Sequence, residues 1–472
     1  MSNTAAPTHR KVLSVFSLVM INVIAVDSLR SLSINAELGT SLIFYYVLAA
    51  LLFFFPVAFV AAELATGWPQ TGGIYIWVRE AFGKRWGFVT IWLQWFYNIV
   101  WYPTILAFVA TTLAYLFNPA LAHSKTYLIS VLLGSFWVTT LINCGGIQLS
   151  SWVSTVGAII GTLLPITFLI ILAAVWLLLG HPSQIDFHWH SFLPTNHTNG
   201  DLAFLVAVLF GLLGMEMSAT HAENVRHPKR DYPKAIAYSA LIILLSLALS
   251  SLAIAIVLPK QQLDLVSGLI DAFVAFLTPF HLQALTPWLI LMIILGAFCS
   301  VSTWVIGPVR GLMVAIEDEC LPAWLSYTNK KEAPVTLLLL QAVIFSLISL
   351  TFVYMPTIQS TYWVLSALAA QLAMIVYVFM FAAAIHLRYK YPLHYRTYNV
   401  PGGTTGMWIL AGIGTLTCLA TILLGLLPPT GIDIGNVWDY PFKLLGGIVL
   451  CLLIPLALFQ KACLANPVEN IK

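Results

Sequence analysis

Charge is what this chain has least of. Asp, Glu, Lys and Arg supply only 8% of its 472 residues, 60% are hydrophobic, and the mean hydropathy is +0.92. Soluble domains carry about 25% charged residues, so a water-soluble fold is excluded and the chain reads as an integral membrane protein. With so few Lys and Arg there is no large basic face, and no soluble domain to carry one, which excludes a nucleic-acid partner. The six cysteines stand singly, without CxxC or Cys/His spacing, so no metal, redox site or cofactor is expected. The loops hold no catalytic triad, no HExxH and no phosphate loop, which argues against an enzyme. Polar and apolar residues do not alternate along the apolar runs, which excludes an outer-membrane barrel.

Long apolar runs are what the chain does have. A helix needs about 20 apolar residues to cross the hydrocarbon core. Such segments fall near 12–35, 41–65, 86–117, 126–143, 152–179, 202–223, 234–258, 284–314, 334–354, 361–388, 406–427 and 441–461. They predict an all-α membrane protein of about twelve transmembrane helices, one domain over 1–472, with mostly short loops. The N-terminal MSNTAAPTHRK is short and polar, and the apolar run after it has no small-residue cleavage site. That run is read as the first span, not as a removed signal peptide. Apart from Arg30, Lys125, Lys260 and Lys443, every Lys and Arg falls on one set of alternating loops. The bias places both termini in the cytoplasm of a multi-pass protein of the cell (inner or plasma) membrane. The loop HPSQIDFHWHSFLPTNHTNGD is His-rich without a fixed metal spacing, and reads as an interfacial belt around Trp189.

Two spans carry residues that lipid does not favour. VIAVDSLRSLSI, from Val23 to Ile34, places Asp27, Ser28 and Arg30 inside span one, where a central charge costs about 2.5–3.5 kcal/mol on insertion scales. Span six contains FGLLGMEMSATHAENVRHPKRDYPKA, in which Gly211 and Gly214 weaken the helix beside the buried Glu216. Ser218 and Thr220 could bond the freed backbone groups. Interruptions in spans one and six are the placement expected of discontinuous helices in the corresponding halves of an inverted five-helix repeat. The first repeat is expected over about 12–179, the second over about 202–388, and two additional helices over about 406–461.

These stretches resemble a known family. GMEMSATHAENVRHPKRDYPKA is similar to the span-six signature of the amino-acid/polyamine/organocation transporters, in particular the glutamate/GABA antiporter branch. AAELATGWPQTGGIYIWVREAFGKRWGF (61–88), STWVIGPVRG (302–311), APVTLLLLQ (333–341) and YNVPGG (398–403) agree in order and spacing. The resemblance implies a LeuT-type fold of two inverted five-helix repeats plus two further helices. It implies exchange of amino acids by alternating access. Two departures stand out. Where the commoner pattern has a Gly-rich break in span one, this chain reads AVDSLRS. Where the branch carries a long cytoplasmic plug, only KACLANPVENIK follows the last span, so plug-type pH gating is not expected.

Asp27 and Arg30 are three apart and share a face if the helix is intact. They could form a mutual ion pair, or line the cavity and meet the two charged ends of a zwitterionic amino acid. A free Arg30 suits a carboxylate through a bidentate fork, and Ser28, Gly214, Met215, Glu216 and Ser218 are further substrate-binding candidates. The resemblance places Glu216 at the span-six break as a gating or proton-sensing group, the alternative being a buried hydrogen-bonding glutamate. His221 and Glu223 could form an inner gate or a solvated helix end, and Glu63 reads as an interfacial charge. Trp101 of span three and Trp304 of the matched span-eight stretch are substrate-pocket candidates. The expected function is secondary amino-acid transport, an antiporter of glutamate/GABA-type or related zwitterionic amino acids. The alternatives are an ion- or proton-coupled symporter and a channel. An amino-acid substrate and the bilayer are the expected partners, and a homo-oligomer is compatible with the reading.

Overall fold

The computed structural model describes residues 14–70, 72–145, 155–194, 199–217, 225, 227–331, 333–429, 432–434 and 438–465. Among them, eleven helices are long and apolar enough to cross a bilayer. A shorter apolar helix, Asn199–Gly211, stands where span six was expected. Span one is Val15–Val26 and, after an interruption, Leu32–Ala36. Spans two to five are Gly39–Gly67, Lys84–Ala114, Lys125–Cys144 and Gly157–Leu178. Spans seven to ten are Pro228–Val257, Thr286–Glu317, Val335–Tyr354 and Ile358–Lys390. Gly403–Leu424 and Asp439–Ala465 close the chain. The protein is therefore all-α, with about twelve spans.

Spans one, two, six and seven pack together on one side, and spans three, four, eight and nine on the other. Span five bridges spans seven and eight, and span ten lies against spans two, three and six. The crossing of spans five and eight is close because Gly161 meets Gly296. A Cβ on Gly161 would stand 2.3 Å from the Gly296 Cα, a separation no other residue could occupy. Span five passes this point through a π-helical segment, Gly157–Leu163.

The Lys/Arg-rich ends of the spans are tied by ion pairs. Burial alone would raise the Asp318 carboxyl, yet the Tyr75 hydroxyl (2.5 Å) and the Arg79 guanidinium (2.7 Å) donate to it and hold it below the usual carboxylate range. This anchors the short helix Ile74–Phe82 to the end of span eight. Glu63 is not the interfacial charge that its place near the end of span two suggests. It is 1% exposed. Arg388 of span ten grips both its oxygens, Nε to Oε1 at 2.7 Å and Nη2 to Oε2 at 2.5 Å. Arg396 approaches at 3.5 Å and the Val400 amide donates at 2.7 Å. The segment after span ten is thereby bound to span two, with His394 stacked on Trp68 at 4.6 Å.

Removing one partner of a buried pair leaves the others uncompensated, a loss of about 3–5 kcal/mol. Glu63→Ala should therefore lower the melting temperature of the purified protein markedly. An unchanged melting curve would show that the two arginines are already satisfied by solvent and backbone.

Candidate functional site

Span one is interrupted where expected, and the described part of span six leaves the helix at Gly211; the two departures are built differently. Span one leaves the helix at Asp27 (φ −76, ψ 85) and Ser28 (φ −101, ψ 114) and resumes with a 3-10 turn at Leu29–Ser31. These angles are open to any residue, which is why the break needs no glycine. The carbonyls it frees find other donors. Ser31 bonds back to the Ser28 carbonyl through its hydroxyl (2.8 Å) and its amide (3.1 Å). Trp304 Nε1 of span eight donates to the Ala25 carbonyl at 3.2 Å.

Span six stops at Gly211, and Gly214 then takes φ +117, a conformation L side chains rarely adopt. A Cβ there would stand 3.0 Å from the Trp304 ring and 3.3 Å from the Ala25 carbonyl oxygen. Residues 215–217 form a short 3-10 turn in which Met215 and Glu216 are buried. Tyr377 of span ten serves both sides of this break. Its oxygen accepts the Gly214 amide at 3.3 Å, and its hydroxyl donates to Glu216 Oε2 at 2.6 Å.

Between the breaks lies a cavity of about 370 Å³, open solvent at its mouth included. Ser28 and Arg30 line it from span one, Tyr97, Asn98 and Trp101 from span three. Phe210, Gly211 and Leu213 line it from span six, and Trp304 closes it from span eight. Trp304 stands 6.2 Å from Trp101 and 6.4 Å, edge-on, from Tyr97, so its indole joins the aromatic wall to the span-one break.

Asp27 and Arg30 do not pair with each other. Their shared face requires an intact helix, which the break removes, and the two side chains take different partners. Asp27 accepts from Ser246 of span seven at 2.6 Å. Arg30 Nη1 donates to Tyr362 (3.2 Å) and Ser366 (3.1 Å) of span ten, and the guanidinium lies over the Phe210 and Tyr362 rings at 5.5 and 5.4 Å. No carboxylate of the described residues lies within ion-pair distance of Arg30, and its Nε has no hydrogen-bond partner. An anion entering the cavity would meet a cation that is held in place but not neutralised.

The cavity between the two departures from helix is thus walled by aromatic residues and holds one arginine that no carboxylate of the described residues neutralises. The amino acid permease family model matches residues 11–450. The chain belongs to the amino acid permease family. This permease is 54% identical to an uncharacterized transporter of Legionella pneumophila, over 94% of this chain and 96% of that one. It is 32% identical to a glutamate/gamma-aminobutyrate antiporter of Lactococcus lactis, over 89% of this chain and 84% of the relative. A probable agmatine/putrescine antiporter of the same species is 24% identical, with 88% of each chain covered.

Of the residues singled out in the sequence, the structure brings Ser28, Arg30, Trp101 and Trp304 to the cavity. Gly214, Met215 and Glu216 stand behind it, and Asp27 faces span seven. Ser218, His221 and Glu223 lie outside the described residues. The sequence reading did not find Asn98, Tyr362, Ser366 or Tyr377. The one available signal was spacing: Tyr362 and Ser366 lie four apart in a helix, hence on one face, inside an otherwise apolar run. Gly214→Ala in the permease should cost about 1–3 kcal/mol of backbone strain and displace the Trp304 ring. Thermal melting and indole fluorescence read the two effects, and a variant matching wild type in both would show that the turn relaxes freely.

Proposed function

We propose that this permease is a secondary transporter that exchanges amino acids bearing a free carboxylate, of the glutamate/GABA type, by alternating access. The observation that carries the reading is Arg30: buried, fixed by two hydroxyls of span ten, lining the cavity and without an anionic partner among the described residues. Burying a charge without a counter-ion is costly, and a substrate carboxylate supplies the missing partner when the site is filled. Ser28, Asn98 and the aromatic walls suit the polar and methylene parts of such a substrate. The antiporter relatives support exchange over one-way transport.

Glu216 is the gating and proton-sensing group in this reading, since its partner Tyr377 also holds the Gly214 amide. A change in its protonation is transmitted to the backbone of the break. In this reading Ser218 binds substrate, His221 and Glu223 form the inner gate, and the charge bias assigns the Lys/Arg-rich face to the cytoplasm together with both termini. The two interrupted spans would then be equivalent members of inverted repeats, about 12–179 and about 202–388, followed by the helices of about 406–461.

Proteoliposomes preloaded with labelled glutamate test the exchange: efflux should require an external amino acid. Efflux that ignores the external solution would point to a uniporter or a pore. Arg30→Ala removes charge-assisted bonds worth about 1.5–3 kcal/mol and should raise the KM for glutamate about 10- to 100-fold. An unchanged KM and substrate panel would take Arg30 out of the binding site. Glu216→Gln should flatten the pH dependence of exchange, and a profile identical to wild type would leave Glu216 a hydrogen-bonding group only.

A further inference from the structure

At the Lys/Arg-rich ends of the spans lies a group of basic side chains that the proposed exchange does not use. Arg85 stands in the first turn of span three, and its guanidinium lies over the Trp86 ring at 5.9 Å. Trp86 in turn packs on Phe379 of span ten at 5.5 Å, which holds the pair against that span. Further along span ten, His386 meets Phe82 at 5.0 Å. Lys390, one turn on, donates to the carbonyls of Glu80 (2.8 Å) and Ala81 (3.4 Å). The Tyr389 hydroxyl accepts the indole N–H of Trp408, from span eleven, at 2.9 Å. The ends of spans three, ten and eleven are thus joined at one place.

These contacts position the cations without neutralising them. No carboxylate of the described residues lies within ion-pair distance of Arg85, His386 or Lys390. Glu80, the acid nearest to Arg85 in the chain, is paired with Arg79 at 2.9 Å. Backbone carbonyls orient the Lys390 ammonium and leave its charge uncancelled. The aromatic rings around the cations are open: Trp86 is 40%, Tyr389 61% and Trp408 51% exposed. Exposed Trp and Tyr at the ends of apolar spans mark the level of the lipid headgroups. Unmatched positive charge and headgroup-level aromatics therefore coincide here.

We propose that the joined ends of spans three, ten and eleven bind the headgroup of an anionic phospholipid. Its phosphodiester meets Arg85 and Lys390 through charge-assisted hydrogen bonds, and Trp86 and Trp408 lie where headgroup gives way to acyl chain. Anionic lipid attracts basic side chains beside a span, whereas a zwitterionic headgroup brings its own cation to a place that already holds Arg85 and Lys390. A free phosphate ion answers the cations but leaves the open rings uncovered, which favours the lipid. Bound there, the lipid ties span three to span ten, the span whose Tyr362 and Ser366 fix Arg30 and whose Tyr377 holds the Gly214 amide.

The test uses no amino acid, so its failure is separable from failure of glutamate exchange. Melting temperatures of the purified full-length protein are measured in neutral detergent micelles doped with phosphatidylglycerol or phosphatidylcholine, and in undoped micelles with inorganic phosphate. Wild type should gain several degrees from phosphatidylglycerol and little from the other two. Arg85→Gln combined with Lys390→Gln should lose that gain. Arg85→Gln alone changes an exposed side chain and should need more phosphatidylglycerol for half the gain, which keeps the proposal falsifiable should the double variant not fold. Lys330→Gln with Lys331→Gln, at exposed cations elsewhere on the Lys/Arg-rich face, should respond as wild type. Equal gains from both lipids, the same gain from inorganic phosphate, no gain in wild type, a full response in the double variant, an unmoved Arg85→Gln midpoint, or a response lost on replacing Lys330 and Lys331 would each overturn the site.

Discussion

Inside a bilayer a backbone N–H or C=O has no water to turn to, and this chain interrupts two spans there. Everything near the cavity follows from how those freed groups are partnered. Trp304 of span eight takes the Ala25 carbonyl, Ser31 takes the Ser28 carbonyl, and Tyr377 of span ten takes the Gly214 amide. Spans eight and ten therefore do more than enclose the breaks. They supply hydrogen bonds to backbone groups that the breaks leave without a helical partner. The same side chains serve the site: Trp304 forms its wall, and Tyr377 holds Glu216.

The buried charges sort by how they are matched. Glu63 is over-matched, with two guanidinia and a backbone amide on one carboxylate, and this arrangement holds the segment after span ten against span two. Asp27 and Arg30 are under-matched, each held by neutral hydroxyls and each retaining an atom without a partner. Complete pairing fixes a structure. Incomplete pairing at Arg30, which lines the cavity, leaves room for a ligand of the opposite charge, because a buried charge unanswered by protein is costly until something answers it.

The spans were legible because the hydrocarbon core imposes a length and a composition that no tertiary contact needs to explain. The break in span six was legible from Gly211 and Gly214, and that in span one from Asp27 and Arg30, residues a continuous lipid-facing helix would not carry. What those two side chains do was not legible. Three residues apart means one face only along an unbroken helix, and the break itself abolishes that periodicity. Glu63 was misplaced for a related reason: its position near a span end says surface, and the partners that bury it lie about two-thirds of the chain away, at Arg388, Arg396 and Val400. Tyr362 and Tyr377 are two aromatic residues among many in an apolar run, and only the fold shows which aromatic hydroxyls meet a broken helix.

The two breaks are therefore not interchangeable. Span six depends on a positive φ at Gly214 with an indole and a carbonyl packed against its Cα, so it admits almost no side-chain variation there. Span one turns through backbone angles any residue can adopt, so its break is free to carry functional side chains. Here it carries a carboxylate toward span seven and a guanidinium toward the cavity. The constrained break fixes the shape of the cavity wall beside Trp304, and the permissive one carries the charged side chains of Asp27 and Arg30. Substitution at the span-one positions therefore meets no backbone barrier, whereas at Gly214 it does.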